Sequence, residues 1–246
     1  MFYGLGSKKE QDILQLVLRM LNVLYPRLYF ADHLVTMERC MGFLEDKRFM
    51  EAVERASQTP QDNSLLWRLH TLTWAGRHCL NIEGDFVDCG VYRGFMSHVL
   101  IDYLEFPYQS RTFFLYDTFT GIPEAHRSGS PVREGGYAEE GLYERAKERF
   151  KPFHNVRVVQ GVVPDVLAEI SPDKVAYLHL DMNSASAEVG ALEVLFDRIT
   201  PGGMVVLDDY GWYWYRTQKQ AEDAFFEARG HHVLELPTGQ GLVVKR

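Results

Sequence analysis

The chain has 246 residues and a net charge of −8, from 26 Lys and Arg against 34 Asp and Glu, and 46% of its residues are hydrophobic. This composition is typical of a globular domain that buries its own core. The acidic balance disfavours nucleic acid and membrane as partners, because both select for clustered Lys and Arg. Its three cysteines form no CxxC motif, which favours a reduced, cytoplasmic chain without disulfides or structural zinc.

Residues 1–80 are predicted to form a helical N-terminal extension that covers the active site, with helices near 10–24, 33–56 and 63–80. In the first helix, apolar residues recur three or four apart between Ile13 and Leu24. Gln15, Arg19 and Asn22 interrupt this stretch, so neither a transmembrane span nor a signal peptide is expected. We expect the helix to pack on its own domain. Dimerisation, and with it a homodimer or larger oligomer, is the alternative.

Residues 81–246 alternate between short β-rich segments and helical ones, which predicts an α/β fold with a doubly wound, seven-stranded, mainly parallel sheet. The predicted strands are 85–88, 112–116, 156–159, 175–180, 204–207, 232–236 and 242–245. The predicted helices are 95–104, 139–149, 164–170, 186–198 and 217–229. A short turn joins the last two strands, so they should form an antiparallel hairpin at one edge.

The segment 121–138 is too long for an ordinary connection inside a compact domain. It contains four Gly and two Pro and has no periodicity. Loops of this length are usually functional or disordered. We favour a substrate lid over a disordered insertion, because the segment follows a strand at the edge where ligands bind.

Acidic residues follow four of the first five predicted strands, at the edge where open α/β sheets bind ligands. In the first turn, Gly90 and Gly94 allow close backbone approach, although the spacing is not GxGxxG. At the next strand end, Asp117 could accept hydrogen bonds from the ribose hydroxyls of a nucleotide. Tight strand-helix packing and a surface aspartate are the structural alternatives for these two features.

Asp181, Asp208 and Asp209 follow the fourth and fifth strands. Carboxylates about 4 Å apart repel by roughly 4 kcal/mol at an effective dielectric near 20, so converging acids call for a cation or bound protons. Oxygen ligands favour Mg²⁺, Ca²⁺ or Mn²⁺. The alternative is that Asp208 and Asp209 cap the following turn.

Four motifs together resemble the macrocin O-methyltransferase family, which are class I S-adenosylmethionine-dependent enzymes with a Rossmann-like sheet. They are Gly84-Asp-Phe-Val-Asp-Cys-Gly-Val-Tyr-Arg-Gly94, Tyr116-Asp-Thr-Phe-Thr-Gly-Ile-Pro123, Leu178-His-Leu-Asp-Met182 and Pro201-Gly-Gly-Met-Val-Val-Leu-Asp-Asp-Tyr-Gly211. The resemblance covers residues 84–246 and implies methyl transfer to a hydroxyl group, with S-adenosylmethionine and Mg²⁺ as cofactors.

The resemblance also assigns residues to the cofactor and the metal. It implies that the metal ligands are Asp181, Asp208 and Asp209, with Asp181 also counted as catalytic. The cofactor residues that it implies are Asp88, Gly90, Val91, Tyr92, Arg93, Gly94, Ser97, Asp117, Thr118, Gly161 and Val162. Asp117 would hold the ribose, and Gly161 and Val162 would border the adenine.

One position departs from the family pattern. Sugar methyltransferases of the family have a second acid, available as general base, where this chain has Asn183. Asn183 cannot accept a proton, so the base must be another group, or a metal must acidify the acceptor, which is easier for a phenol than for a sugar. His179 is expected to be a hydrogen-bonded core residue rather than this base.

The aromatic run from Tyr210 to Tyr215 could line an acceptor pocket together with Tyr137, or could be ordinary packing. Tyr210, Trp212 and Tyr137 are the substrate candidates. The sequence therefore predicts an S-adenosylmethionine-dependent O-methyltransferase (EC 2.1.1.-) that acts on a small hydroxylated sugar or phenolic natural product. The rivals are a cofactor-binding scaffold without catalysis and, less favoured because GxGxxG is missing, a nicotinamide dehydrogenase.

Overall fold

The computed structural model describes residues 7–246, which divide into two compact units after Trp67. This division lies earlier than the domain boundary expected after residue 80. The role of the N-terminal segment as a cover for the active site stays a prediction.

The N-terminal unit combines helices with a small hairpin. Its elements are α1 (Lys8–Leu24), β1 (Leu28–Ala31), β2 (Leu34–Met37) and α2 (Lys47–Ala56). Helix α1 begins with a capping box, in which Ser7 and Glu10 satisfy each other's backbone N–H groups. The prediction of helix from 33 to 56 is wrong in its first half. Asp32 and His33 both have positive φ and turn the chain into the hairpin of β1 and β2.

The apolar face of α1 is largely exposed. Leu18 is its one buried residue, whereas Met20, Val23 and Leu24 are 61%, 81% and 69% exposed. The expectation that this helix packs on its own domain is therefore wrong for most of its length. An oligomer contact along this face stays a prediction.

The second unit contains one large sheet with helices on both faces, as predicted. Its helices are α3 (Leu66–Cys79), α4 (Phe95–Tyr103), α5 (Leu142–Phe150), α6 (Ala185–Leu195) and α7 (Arg216–Glu227). Its strands are β3 (Asp85–Cys89), β4 (Phe113–Asp117), β5 (Val156–Gln160), β6 (Val175–Leu180), β7 (Ile199–Leu207), β8 (Leu234–Glu235) and β9 (Gly241–Val244). The helix predicted at 164–170 is only a short 3-10 turn at Asp165–Ala168.

The strand order is β5-β4-β3-β6-β7-β9-β8, with β3 to β7 parallel and β9 antiparallel to both β7 and β8. This confirms the doubly wound, mainly parallel sheet and its terminal hairpin, of which β9 lies inside and β8 at the edge. The chain runs outward from β3 to β4 and β5 and then returns to β6 on the other side of β3. Strand order thus reverses between β3 and β6, where open α/β sheets bind ligands.

The core has two layers because alternate strand residues point to opposite faces of the sheet. Val87, Leu178 and Val205 belong to the layer that includes Leu192 of α6 and Phe226 of α7. The other layer is rich in aromatic residues and includes Phe86, Phe106, Phe113 and Tyr177. Burying each large apolar side chain contributes about 1.5–3 kcal/mol, so the sheet is a rigid platform for its loops. Among residues 7–246, no helix is long and apolar enough to cross a membrane.

Candidate functional site at the carboxyl edge of the sheet

The ends of β3, β4 and β6 are joined by backbone contacts around Gly90. The Gly90 N–H donates to the carbonyl of Tyr116 at 2.8 Å, and the Asp181 N–H donates to the carbonyl of Cys89 at 2.9 Å. Gly90 has φ +102°, and a Cβ atom at this position would lie 2.0 Å from the carbonyl oxygen of Asp181. Only glycine fits here, because the turn after β3 passes directly over the end of β6.

Each of these three strand ends is followed by a residue in left-handed backbone conformation. Tyr92, Phe119 and Asn183 have φ values of 48°, 56° and 57°. A bulky residue in this region is uncommon and costs about 1–3 kcal/mol, and such strain concentrates at ligand sites. Tyr92 and Phe119 are bulky residues of this kind, whereas asparagine tolerates the conformation.

The Asp117 carboxylate is oriented at the end of β4 by backbone donors. Its Oδ2 accepts from the Tyr92 N–H at 2.7 Å, and its Oδ1 accepts from the Phe119 N–H at 2.6 Å. Burial raises the pKa of Asp117 although these hydrogen bonds oppose the shift. The carboxylate is thus fixed and partly buried at the end of β4, and its role toward a ribose stays a prediction. Thr118 instead donates its hydroxyl to the carbonyl of Gly121 at 2.6 Å and so shapes the start of the long loop.

Asp88 is buried behind the turn rather than exposed in it. It accepts hydrogen bonds from the Ser97 hydroxyl and, at 2.9 Å, from Nδ1 of His179. Gly94, at φ +76°, caps α4, and a Cβ atom there would lie 2.5 Å from the Phe150 ring. The first turn is therefore supported on its buried side by Asp88, Ser97 and Gly94. Val91 is buried there too.

At the end of β5, Gly161 donates its N–H to the carbonyl of Asp117 at 2.9 Å. A Cβ atom on Gly161 would lie 2.5 Å from the Val166 side chain. Gly161 thus keeps this strand end close to Asp117, with the partly buried Val162 beside it. Their role beside an adenine ring stays a prediction.

His179 and Asp208 are buried side by side on β6 and at the end of β7. His179 is 2% exposed, with Nδ1 bonded to Asp88 and Nε2 at 3.6 Å from Oδ1 of Asp208. The expectation of a hydrogen-bonded core histidine is confirmed. Burial disfavours the charged ring, but Asp88 and Asp208 outweigh it and raise the pKa of His179 well above its usual value.

The acidic pair Asp208 and Asp209 binds an arginine that the sequence reasoning missed. Nη1 of Arg68, in α3, donates in a short contact to Oδ2 of Asp208 and at 3.2 Å to Oδ1 of Asp209. The other oxygen of Asp208 accepts from Nε2 of Gln240 at 2.8 Å. Burial alone would raise the pKa of Asp208, but the charge of Arg68, together with the nearby His179 ring, holds it below its usual range.

Asp181 differs from its acidic neighbours in lacking such a cation partner within the described contacts. Its Oδ1 accepts only a long hydrogen bond of 3.4 Å from the Asn183 amide. Burial, followed by the charges of Asp208 and Asp209, raises the pKa of Asp181 well above its usual value. Asn183 in turn accepts a short hydrogen bond from the Tyr215 hydroxyl, so the amide bridges the carboxyl group and the aromatic run.

These contacts do not fit a magnesium ion held by the three predicted carboxylates. Ligand atoms of His179, Asp181 and Asp208 lie within 4.8 Å of one another, so the cluster brings in a nitrogen ligand where Mg²⁺ prefers oxygen. Asp209 is not part of it. Arg68 already occupies the position between Asp208 and Asp209 that a shared cation would need.

Glu139 contacts two side chains of the first turn, Tyr92 and Arg93, and was not predicted as a site residue. It accepts a short hydrogen bond from the Tyr92 hydroxyl, and it forms ion pairs with Arg93 and Arg145. The hydrogen bond with Arg93, followed by that with Tyr92, lowers the pKa of Glu139. Tyr137, two residues before it, packs edge-on against Tyr92 with ring centres 5.2 Å apart.

The long loop returns to its starting point, where Thr120 and Ala138 form an isolated antiparallel bridge. One short turn, Glu124–His126, interrupts its irregular course. The His126 carbonyl accepts from the Ser184 hydroxyl at 2.6 Å, and its ring contacts the Ser186 hydroxyl at 2.8 Å. The loop therefore contacts the start of α6 just beyond Asn183. Its action as a substrate lid stays a prediction.

The aromatic run divides into packed and accessible parts. Tyr210 is 3% exposed, and its hydroxyl contacts Asp223 and Lys219 of α7, so the structure gives it a packing role. Trp212 lies under the Arg68 guanidinium, whose central carbon is 5.0 Å from the ring centre. Tyr137 is 45% exposed. Substrate contact by any of these residues stays a prediction.

Sequence signals existed for two of the missed residues. Arg68 shares a helical face with Leu72, Ala75 and Cys79, so a lone charge on a buried face pointed to a buried partner. Tyr215 lay inside the aromatic run but was not separated from it. Glu139 gave no signal, because its partners depend on how the long loop folds back.

The comparisons with known proteins agree with this geometry. The model of the macrocin O-methyltransferase family matches residues 67–235. A tetracenomycin rhamnosyl 4′-O-methyltransferase from Streptomyces olivaceus is 28% identical over 65% of this chain and 63% of its own length. The demethyldecarbamoylnovobiocin O-methyltransferase from Streptomyces niveus is 29% identical over 53% of this chain and 54% of its own length.

Among solved structures, a calicheamicin methyltransferase superposes with a TM-score of 0.61 at 18% identity, over 97% of this chain and 93% of its own. At this identity the likeness shows the fold alone. The chain spans between about half and two thirds of the length of the two curated relatives above. From the family match over most of the chain, together with the sheet order and the acidic crevice, we conclude that this protein belongs to the macrocin O-methyltransferase family.

Proposed function

We propose that this protein is an S-adenosylmethionine-dependent O-methyltransferase for a small hydroxylated acceptor, such as a sugar or phenolic part of a natural product. The observation that carries the proposal is the Asp117 carboxylate, fixed by two backbone N–H groups beside the Gly90 turn at the point where strand order reverses. Family membership supports the reaction. Two relatives are named as O-methyltransferases of a rhamnosyl tetracenomycin and of demethyldecarbamoylnovobiocin, and these names support the acceptor class.

Three parts of the site would hold the cofactor. Gly90 and Gly94 keep the backbone of the first turn close to the ligand, while Asp88 and Ser97 fix that turn from behind. Asp117 would accept hydrogen bonds from the ribose hydroxyls. Tyr92 and Arg93 would cover the pocket, because their side chains are held by Glu139 at its rim. When bound, S-adenosylmethionine supplies an electrophilic methyl group on a sulfonium sulfur.

The residues around Asp181 would position the acceptor and receive its proton. In the reaction the acceptor oxygen forms a bond to the methyl carbon, the carbon–sulfur bond breaks, and the hydroxyl proton must leave. Among the described contacts, Asp181 has neither the arginine that pairs with Asp208 nor the two short hydrogen bonds that hold Asp117. Asn183 cannot accept a proton. We assign proton acceptance to Asp181. Most of the rate gain would come from alignment of the acceptor oxygen with the methyl group.

Magnesium has no step in this proposal. It was expected from the sequence at Asp181, Asp208 and Asp209, but the buried Arg68 contacts two of these carboxylates, and the set does not suit that ion. The metal dependence implied by the family resemblance therefore needs its own test.

The direct test is transfer of a labelled methyl group from S-adenosylmethionine to a library of glycosides and phenols. We expect transfer to at least one hydroxylated acceptor, with release of S-adenosylhomocysteine. The alternative is a cofactor-binding scaffold without catalysis, in which Asn183 would mark a lost base. Tight cofactor binding without transfer to any member of the library would support the scaffold.

A further inference from the structure

The cation that contacts Asp208 and Asp209 is a side chain of this protein, Arg68. The Arg68 side chain is 8% exposed, and its Nη1 donates to Oδ2 of Asp208, to Oδ1 of Asp209 at 3.2 Å and to the Asp208 carbonyl at 3.4 Å. The Trp212 ring lies under the guanidinium. A buried arginine shared by two carboxylates and stacked on an aromatic ring is held in one position, because its planar group satisfies all three contacts at once.

The remaining oxygen of Asp208 is also engaged. Its Oδ1 accepts from the amide of Gln240, which is fully buried and is itself fixed by the Thr238 hydroxyl at 2.9 Å. Mg²⁺ requires oxygen ligands at about 2.0–2.1 Å in nearly octahedral geometry. Asp208 could supply such a ligand only if the N–H donors of Arg68 or Gln240 were displaced from its carboxylate. Removal of Arg68 from these carboxylates would leave a buried charge unpaired, which is strongly unfavourable.

We propose that Arg68 takes the place of a divalent metal ion in this protein. Arg68 offsets part of the charge of Asp208 and Asp209 and holds both carboxylates in place, so the site binds neither Mg²⁺ nor Mn²⁺ tightly. Methyl transfer then proceeds without a divalent ion. The statement about turnover rests on the proposed function, whereas the statement about metal binding does not.

Mn²⁺ binding tests the proposal without reference to activity. The full chain is treated with EDTA, dialysed and titrated with Mn²⁺, with free Mn²⁺ measured by electron paramagnetic resonance. We expect no stoichiometric binding to the wild-type chain. The Arg68→Met variant should bind Mn²⁺ at least roughly tenfold more tightly, because Asp208 and Asp209 then lack their cation. Arg77→Met, an exposed arginine on the same helix, is the matched control and should behave as wild type.

Binding of one Mn²⁺ per wild-type chain, lost in Asp208→Asn, would overturn the proposal. The wild-type titration decides the matter even if Arg68→Met does not fold. A folded Arg68→Met variant that gains no affinity would also contradict it. Once an acceptor is known, the wild-type rate after EDTA treatment should stay within about twofold of the rate with added Mg²⁺. Absence of all methyl transfer would count against the proposed function and leave the Mn²⁺ result standing.

Discussion

Asp181 and its neighbours differ in what balances their charge. Asp208 and Asp209 share Arg68, and Asp88 is paired with His179, but Asp181 has only the weak amide contact of Asn183. Burial and the neighbouring acids raise its pKa. A carboxyl group in this environment has a stronger tendency to take up a proton than its neighbours have, which is the property of a general base.

Replacement of Asp181 by Asn should therefore reduce turnover by about 10²-fold to 10⁴-fold, because no general base then accepts the proton of the acceptor hydroxyl. Affinity for S-adenosylmethionine should change little, since Asp117 and the first turn are untouched. Single-turnover rates and calorimetric titration measure the two effects separately. Asp165→Asn, at an exposed acid on a short turn, is the control. Unchanged methylation by the Asp181 variant would remove this residue from the mechanism.

Gly90 is the residue on which the geometry of three strand ends depends. Alanine at this position would bring its Cβ to 2.0 Å from a backbone oxygen and would keep an unfavourable φ of +102°. We expect Gly90→Ala to lower the free energy of unfolding by about 2–4 kcal/mol, because backbone rather than a flexible side chain would have to move.

Urea denaturation of Gly90→Ala and Gly42→Ala makes the comparison. Gly42 has no atom within 4 Å of the added Cβ and no positive φ, so its replacement should have little effect. Equal stability of the two variants would show that the turn after β3 can relax, and the close approach would then have no structural importance.

At the scale of elements, the long loop is connected to the first turn mainly through Glu139. This carboxylate accepts from Tyr92 and pairs with Arg93 and Arg145. Glu139→Ala should release the end of the loop and increase amide hydrogen exchange over residues 121–138, since Glu139 joins that end to the side chains of Tyr92 and Arg93. Glu140→Ala, at the exposed neighbouring position, should leave exchange unchanged. Equal protection in both variants would assign the order of the loop to its other contacts.

Helices α6 and α7 meet at a buried pair of acids. Glu188 accepts from the Met182 N–H and from the Gln218 amide, both at 3.0 Å, and is fully buried together with Glu222. Burial raises the pKa of Glu188 to about 7. Burial, and then the charge of Glu188, raise the pKa of Glu222 well above its usual value. Such a pair retains a proton at pH values where isolated carboxyl groups have lost theirs.

Stability should fall between about pH 5 and pH 8, because the folded state binds more protons than the unfolded chain in this range. Glu222→Gln removes the second charge. The variant should be more stable than wild type at about pH 8, on the order of 2 kcal/mol, and its stability should depend less on pH. Urea denaturation at both pH values measures this, with the exposed Glu227→Gln as control. If the stability of wild type and of Glu222→Gln depended on pH in the same way, Glu188 and Glu222 would not retain a proton between them.

The sequence predicted the large sheet well for a physical reason. Strands such as Val175–Leu180 are nearly continuous apolar runs, and acidic residues follow several of them at the same edge. The hairpin of β1 and β2 was missed because its strands are only four residues long and half-buried, so their periodicity is weak. Arg68 was missed as the partner of Asp208 because the contact spans 140 residues along the chain. Pairings of that kind follow from the fold and not from local patterns.

At the scale of the whole molecule, the buried negative charge and the proposed cofactor site lie at the same edge of the large sheet. Much of the buried acidity lies along the carboxyl edge of β3, β4, β6 and β7, where Arg68 and His179 offset only part of it. A cationic sulfonium cofactor suits such an edge, whereas a nicotinamide dinucleotide, with its pyrophosphate, does not. We therefore expect this edge to select S-adenosylmethionine.

Calorimetric titration with S-adenosylmethionine and, separately, with NADH measures this selectivity, with Asp117→Ala as the site variant. We expect one S-adenosylmethionine site per chain, an affinity reduced by about tenfold or more in Asp117→Ala, and no binding of NADH. Binding of NADH instead, or S-adenosylmethionine binding that does not depend on Asp117, would contradict this expectation.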